Sequence, residues 1–460
     1  MNLQKTYPRV LIVGESFANI TGGGITLSNL FKGWPKERLA VVNDLRFYPN
    51  TAVCNQYYRL GSSEWRFKWP VSLLLKNGRK SGAVIIDEYA DEPDISKEKN
   101  DRWQKETGIL DRKNFIKEFL SSIDDAVGSE AVIRNLKLST GLAEWIKDFQ
   151  PDLIYTQLST IQLISLTDQL SKTFQVPYVI HIMDDWPSTL YSDKLLAAYL
   201  RHRLEKEFNA LLSHASGFFG ISQKMCAFYE KKYSRSCIPF HNPLDLDRWL
   251  EASKKNWNAN TPFRIMYRGH LGMGIERSLI DLCDAVYELY QSGRAVRLEI
   301  TLTPTCNEQT KQVFERPGCV NVKEIIPYGE IPTALAGADL LVLAYDFDSE
   351  AVNINRYSMP TRATEFMVSG TPVLVYGPGE LAVTEYARDE KWAEIVTDCD
   401  KKRLVLALTR LMDDQDLRKK LGCRAKELAV DKHDAVHVRE AFRKALVCAT
   451  TQSSVTVNIA

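Results

Sequence analysis

Arg9-Val-Leu-Ile-Val-Gly14 is a short, β-rich apolar run closed by glycine, and Gly22-Gly-Gly-Ile25 opens a helical pattern through Leu27, Leu30 and Phe31. A buried parallel strand, a glycine-rich turn and a helix make half of a βαβ unit. Strands of the same kind are expected at Ala83–Ile86, Leu153–Thr156, Tyr178–Ile182 and Gly217–Ile221, with helices over Ala131–Phe149 and Leu195–Ser213. Such alternation predicts a parallel sheet covered on both faces. The polar stretch Glu251–Pro262 reads as a linker, after which the pattern restarts. Strands are expected at Arg264–Tyr267, Leu298–Thr303, Leu340–Ala344 and Pro372–Tyr376, helices at Glu276–Tyr290 and Thr361–Val368, and a glycine-rich turn at Gly269–Gly274. The reading is an α/β chain of two doubly wound domains, 1–250 and 260–430, with a helical tail at 431–460 expected to pack back on the first. Ligands of open α/β sheets bind beyond the carboxyl ends of the strands, which places the active site in a cleft between the domains.

Composition narrows the class. The chain has 460 residues, 45% hydrophobic and 25% charged, which is ordinary for a globular protein. Lys+Arg is 59 and Asp+Glu 58, so the basic excess of a nucleic-acid binder is missing. No apolar run approaches the roughly 20 residues of a membrane span. Met1–Pro8 is polar, unlike a signal peptide. The nine cysteines form no metal-spaced cluster and fit reduced thiols, so a cytoplasmic protein is expected.

The chemistry concentrates in Tyr357-Ser-Met-Pro-Thr-Arg-Ala-Thr-Glu365 and the following Phe-Met-Val-Ser-Gly-Thr-Pro-Val-Leu374. Pro360 suits the first position of a helix, whose unpaired N–H groups form an anion site. A cation such as Arg362 is unfavourable there unless an anion sits in front of it, and guanidinium matches phosphate in a bidentate way. Glu365, one turn on, has the acceptors for a ribose diol. Both residues read equally well as solvated helix positions.

This segment resembles the nucleotide-sugar site of the GT-B glycosyltransferases, in particular the retaining family 4 group. Its pattern Pro-x-Lys-x-x-Glu-x-x-x-x-Gly-x-Pro-Val is matched by Pro360, Arg362, Glu365, Gly370, Pro372 and Val373, with Arg for Lys. The family's first glutamate is replaced by Tyr357. The resemblance gives Glu365 the donor ribose and Ser358, Met359 and Arg362 the diphosphate. Ile265-Met-Tyr-Arg-Gly-His270 is similar to the first strand of the family's second domain. That likeness brings Gly269 to the donor phosphates, with His270 and Arg277 in place of the usual basic pair. Val322–Glu330 resembles the segment that cups the base, making Ile326 and Tyr328 base contacts.

In the first half, Val176-Pro-Tyr-Val-Ile-His-Ile-Met-Asp-Asp-Trp-Pro187 is the acceptor-side element. Asp184 at a strand end is expected to position an acceptor hydroxyl or stabilise a developing oxocarbenium ion, the catalytic role. Equally, Asp184 or Asp185 caps the next turn. His181 reads as a core histidine, while His241 and His270 stay open. Gly23 and Gly24 offer N–H donors to phosphate, as the family's glycine loop does, or form a plain flexible turn. Trp65-Arg-Phe-Lys-Trp-Pro-Val-Ser-Leu-Leu-Leu-Lys76, with Arg79 and Lys80, mixes aromatics and cations as a peripheral membrane contact does, or is a buried hairpin.

The resemblance implies transfer of a sugar from a nucleotide diphosphate donor to a hydroxyl of a glycan or lipid-linked saccharide, with retention. It implies no metal and no cofactor beyond the donor itself. A nucleotide-sugar 2-epimerase of the same fold and a non-catalytic sugar-nucleotide-binding subunit are the alternatives.

Overall fold

A computed structural model describes residues 7–18, 22–46, 48–69, 79–85, 134–191, 196–272, 274–302 and 307–451. The chain divides into two compact units, Met1–Phe240 with Arg439–Ala460, and His241–Val438.

The strands of the first unit are β1 (Val10–Val13), β2 (Leu39–Asn43), β3 (Gln56–Arg59), β4 (Trp65–Phe67), β5 (Gly82–Ile85), β6 (Arg134–Leu136), β7 (Leu153–Thr156), β8 (Tyr178–Ile182), β9 (Gly217–Gly220) and β10 (Ile238–Pro239). Eight of them form one sheet in the order β10-β9-β8-β7-β1-β2-β3-β5. All neighbours are parallel except β3 and β5, which run antiparallel at the edge. Every residue of β1, β2, β7 and β8 is buried, as strands covered on both faces must be. β4 and β6 form a separate antiparallel pair. The expected helix over 131–149 is therefore split. Ser139, accepting a hydrogen bond from the Leu142 amide at 3.1 Å, starts the helix Thr140–Phe149 only after β6.

The second unit carries β11 (Phe263–Gly269), β12 (Val296–Leu302), β13 (Val320–Lys323), β14 (Leu340–Ala344), β15 (Val373–Tyr376) and β16 (Glu394–Val396) in one parallel sheet, ordered β13-β12-β11-β14-β15-β16. Helix Glu276–Gln291 packs with Leu279, Leu282, Cys283 and Val286 against one face, and helix Thr361–Ser369 with Phe366 and Met367 belongs to the core of the other.

The stretch read as a linker is built into this unit. The Lys254 amide donates to the Ser369 carbonyl at 2.7 Å, and its Nζ donates to the carbonyls of Ala336 and Ala338 at 2.9 and 2.6 Å. The division falls at Phe240/His241 instead. The last helix, Ala435–Thr451, straddles the second division, and its Phe442 ring lies edge-on against Phe31, Tyr155 and Phe240 of the first unit's core.

Candidate functional site

In the second unit the strand order reverses beside β11, with β12 and β13 on one side and β14, β15 and β16 on the other. Such a switch point opens a crevice at the carboxyl ends of the strands. Gly269 ends β11 there, and helix Thr361–Ser369 sends Arg362 to it. A Cβ on Gly269 would lie 1.8 Å from Arg362 Nη1, so only glycine lets the guanidinium lie beneath the strand end. Pro360 is the cap residue rather than the first helical one, and it supplies no side-chain cap to the first-turn amides.

Arg362 is 7% exposed. Its Nη1 donates to Tyr267 Oη at 3.3 Å and to the Arg268 carbonyl at 3.4 Å, and its Nε has no hydrogen-bond partner. Among the described residues no carboxylate forms a salt bridge with it. A buried cation surrounded by neutral groups, the Tyr267 and Tyr345 hydroxyls and the Arg268 carbonyl, has no carboxylate bonded to it, and an anion in the crevice would complete it. Glu365, on the same helix face, accepts from Arg268 Nη1 at 2.7 Å. Burial raises the Glu365 carboxyl above its ordinary pKa, opposed chiefly by the Arg268 charge.

The other expected donor residues lie on neighbouring elements of the second unit. His270 follows Gly269 with an accessible ring; desolvation on its inner side and the Arg362 charge lower its imidazole pKa. Its carbonyl accepts from Tyr267 Oη at 3.2 Å. The Ser358 amide donates to the Asn355 carbonyl at 3.1 Å, and Met359 and Ile326 are half-buried against the core below. Tyr328 begins a short 3-10 turn, Tyr328–Glu330. Arg277 is exposed and faces Asp348 at 3.8 Å, with no contact to Arg362 or Glu365 among the interactions observed. Arg268, which sequence reasoning passed over, holds the position beside Glu365. The only signal was its place next to Gly269 at the strand end.

In the first unit the switch point lies between β1 and β7. A pocket of about 80 Å³ opens there, lined by Gly14, Glu15, Gln157, Leu158, Ser159, Met183, Asp184 and Trp186. Leu158 and Ser159 carry positive φ of 60° and 76°, the strained backbone that clusters at functional sites. Gly22–Gly24 form the first turn of helix Gly22–Phe31 rather than a loop. A Cβ on Gly23 would lie 3.4 Å from Gln157 Oε1 and 3.5 Å from Glu15 Oε2, so Gly23 sits against the pocket wall, while Gly24 is buried.

The two aspartates separate in role. Asp185 is buried and accepts a hydrogen bond from Tyr229 Oη, whereas Asp184 is exposed on the pocket. The pocket walls around it partly desolvate the Asp184 carboxyl and raise its pKa although the side chain reaches solvent. Burial raises that of Glu15 too, and there the Asp184 charge adds to the effect. A carboxyl whose ionisation is disfavoured by desolvation and by a neighbouring carboxylate, as at Glu15, is a general-base pattern. Glu15 follows the glycine closing β1, and nothing in the sequence pattern marked it. His181 is fully buried, bonded through Nδ1 to Tyr155 Oη at 2.7 Å, and burial lowers its pKa to about 3. Among the described residues no group of three or more His, Cys, Asp or Glu could hold a metal ion.

Two Rossmann-like units, each built on a doubly wound sheet, define the GT-B class of fold. Several solved structures share it over nearly the whole chain. The Anabaena protein Alr3699/HepE, solved in complex with UDP-glucose, is 13% identical, with 96% of this chain and 99% of that one covered and a TM-score of 0.56. Sucrose-phosphate synthase from Thermosynechococcus elongatus is 12% identical over 94% of this chain and 96% of its own, with a TM-score of 0.57. Trehalose-6-phosphate synthase from Burkholderia multivorans is 12% identical over 99% of both chains, with a TM-score of 0.56. No family model and no curated protein sequence matches this chain.

Proposed function

We propose that this protein is a nucleotide-sugar-dependent glycosyltransferase resembling family 4, moving a sugar to a hydroxyl of a glycan or lipid-linked saccharide with retention. The observation that carries the reading is the buried, incompletely compensated Arg362 beneath Gly269, beside Glu365, at the switch point of a GT-B sheet. A diphosphate seated there meets Arg362 and the first amides of helix Thr361–Ser369, which stabilise the charge that develops as the diphosphate departs. Glu365 accepts the ribose hydroxyls, and Ile326 and Tyr328 flank the base. In the first unit, Asp184 accepts a hydrogen bond from the acceptor hydroxyl. Solved relatives of the same fold in complex with UDP-glucose and UDP support a nucleotide donor.

Trp69 of the aromatic and basic segment Trp65–Lys80 is 80% exposed, and residues 70–78 of that segment lie outside the described residues. We assign that segment a peripheral contact with a membrane carrying the acceptor. No described helix is long and apolar enough to cross one.

The test is a thermal-shift panel of UDP, GDP, ADP and CMP with their sugars, without added metal, on wild type and Glu365→Ala. One diphosphate series is expected to shift the midpoint, and Glu365→Ala to lose most of that shift. A ligand at 100 times its dissociation constant stabilises by about 2.7 kcal/mol, which such an assay resolves. No shift from any nucleotide removes the reading. Conversion of donor alone to an isomer replaces it with epimerisation, and binding without transfer or isomerisation with a non-catalytic subunit.

A further inference from the structure

We propose that Arg268 is a positioning residue for the donor ribose: it holds one oxygen of Glu365 so that the other faces the sugar's vicinal hydroxyls. The inference rests on the nucleotide-sugar reading above and concerns a residue that reading does not use.

Arg268 precedes the terminal glycine of β11, and Glu365 lies one turn into helix Thr361–Ser369. The bond runs from Arg268 Nη1 to Glu365 Oε2 at 2.7 Å, with side chains 22% and 14% exposed. The Arg268 carbonyl also accepts from Arg362 Nη1 at 3.4 Å. One residue thus touches both charged side chains on the ligand-facing side of the helix, tying the strand end to the helix start. A carboxylate has about four lone-pair sites. Arg268 engages Oε2, and no other hydrogen bond to Glu365 is found among the described residues, so Oε1 can accept from a diol. Held this way the carboxylate needs no reordering when ribose arrives, which is how a positioned group raises affinity.

A merely structural ion pair would not carry ribose selectivity or its pH dependence, and the test uses both. The charged groups facing Glu365 are Arg268 from β11, Arg362 on its own helix and Arg248 from helix Leu246–Ala252. Burial drives the carboxyl towards its protonated form, and Arg268 is the foremost of the charges opposing this. Without Arg268, the loss of ribose recognition on acidification begins at higher pH.

Titration calorimetry with the nucleoside diphosphate that binds, its 2′-deoxy form and inorganic pyrophosphate, at several pH values from 5 to 8, reads this out. Wild type is expected to prefer the ribo form by about tenfold, the worth of one well-placed hydrogen bond to a charged group. Arg268→Met should bring that ratio close to one at pH 6, leave pyrophosphate affinity unchanged and shift the acid limb upward. Arg268→Lys, which keeps the charge and one contact, should give an intermediate ratio, and it supplies the answer if the Met variant fails to fold. A wild-type ratio and acid limb in Arg268→Lys and in any folded Arg268→Met overturn the role of Arg268 while sparing the donor site. No binding of any nucleoside diphosphate to wild type overturns both.

Discussion

The guanidinium of Arg362 shows how a site departs from what stability alone would select. It is buried, its Nε is unpartnered, and its bonds to Tyr267 Oη and the Arg268 carbonyl are long. A buried charge with no carboxylate bonded to it carries a desolvation cost that an apolar side chain of similar length does not. Arg362→Met is therefore expected to keep or raise the unfolding midpoint of the free protein while abolishing its nucleotide-induced shift. A midpoint several degrees lower without ligand would mean that Arg362 is a structural residue. Gly269→Ala acts on the same atom from the other side. Its Cβ meets the end of a flexible side chain at 1.8 Å, so the fold should survive by displacing Arg362. Circular dichroism should match wild type while diphosphate affinity falls by roughly 1.5–3 kcal/mol, the range for a hydrogen bond to a charged group. Unchanged affinity would show that the diphosphate does not meet Arg362.

At the scale of elements, what the sequence made legible were strands buried on both faces and what it hid were edges and attachments. β7, β8 and β14 begin and end where their apolar runs do, because no half-exposed face interrupts the pattern. β5 was read as one more parallel strand, but it is an antiparallel edge, a distinction that depends on its partner β3 rather than on its own residues. The stretch 251–262 was misread because its polar groups pair with backbone carbonyls, which composition does not reveal. Trp257 Nε1, for instance, donates to the Gly370 carbonyl at 2.9 Å. That contact sits where helices Thr361–Ser369 and Gln415–Lys432 meet. A Cβ on Gly422 would lie 2.1 Å from the Gly370 oxygen and 2.5 Å from Trp257 Nε1, so the helices approach through a glycine. Gly422→Ala is expected to cost about 1–3 kcal/mol by overpacking, despite the helix propensity it gains. Denaturant unfolding measures it, and a variant as stable as wild type would show that the backbone yields there at little cost. In the candidate site, Arg362 and Glu365 were legible because a cation at a helix N-terminus asks for an anion. Arg268 and Glu15 were not, because one charged residue beside a glycine carries no pattern until the sheet places it.

At the scale of the whole molecule, the buried His181 and His433 and the half-buried His241 predict how the protein responds to acid. His433 shares a hydrogen bond through Nδ1 with His241 Nε2 and another through Nε2 with Tyr386 Oη at 3.0 Å. The pair joins the segments that begin and end the second unit, where the Leu244 amide donates to the His433 carbonyl at 2.9 Å. Burial holds the His241 pKa down to about 4 and that of His181 to about 3; it also drives His433 well below its ordinary value, with the His241 charge adding to the effect. A histidine depressed in the folded state contributes stability that is complete above the unfolded value near 6.5 and is lost as pH falls through the folded value. At about 1.4 kcal/mol per unit, His181 and His241 together amount to several kcal/mol between about pH 6.5 and 4, and His433 acts in the same sense. The raised carboxyls of Glu15, Asp184 and Glu365 work in the opposite sense, since their native forms bind protons more tightly. Comparison with a variant isolates the histidines. His433→Asn keeps hydrogen-bonding groups but cannot titrate, so it should start less stable at pH 7.5 and lose less on acidification to pH 5. Denaturant midpoints measured across that range are expected to converge. Parallel curves for the two proteins would mean that His433 does not carry the acid response.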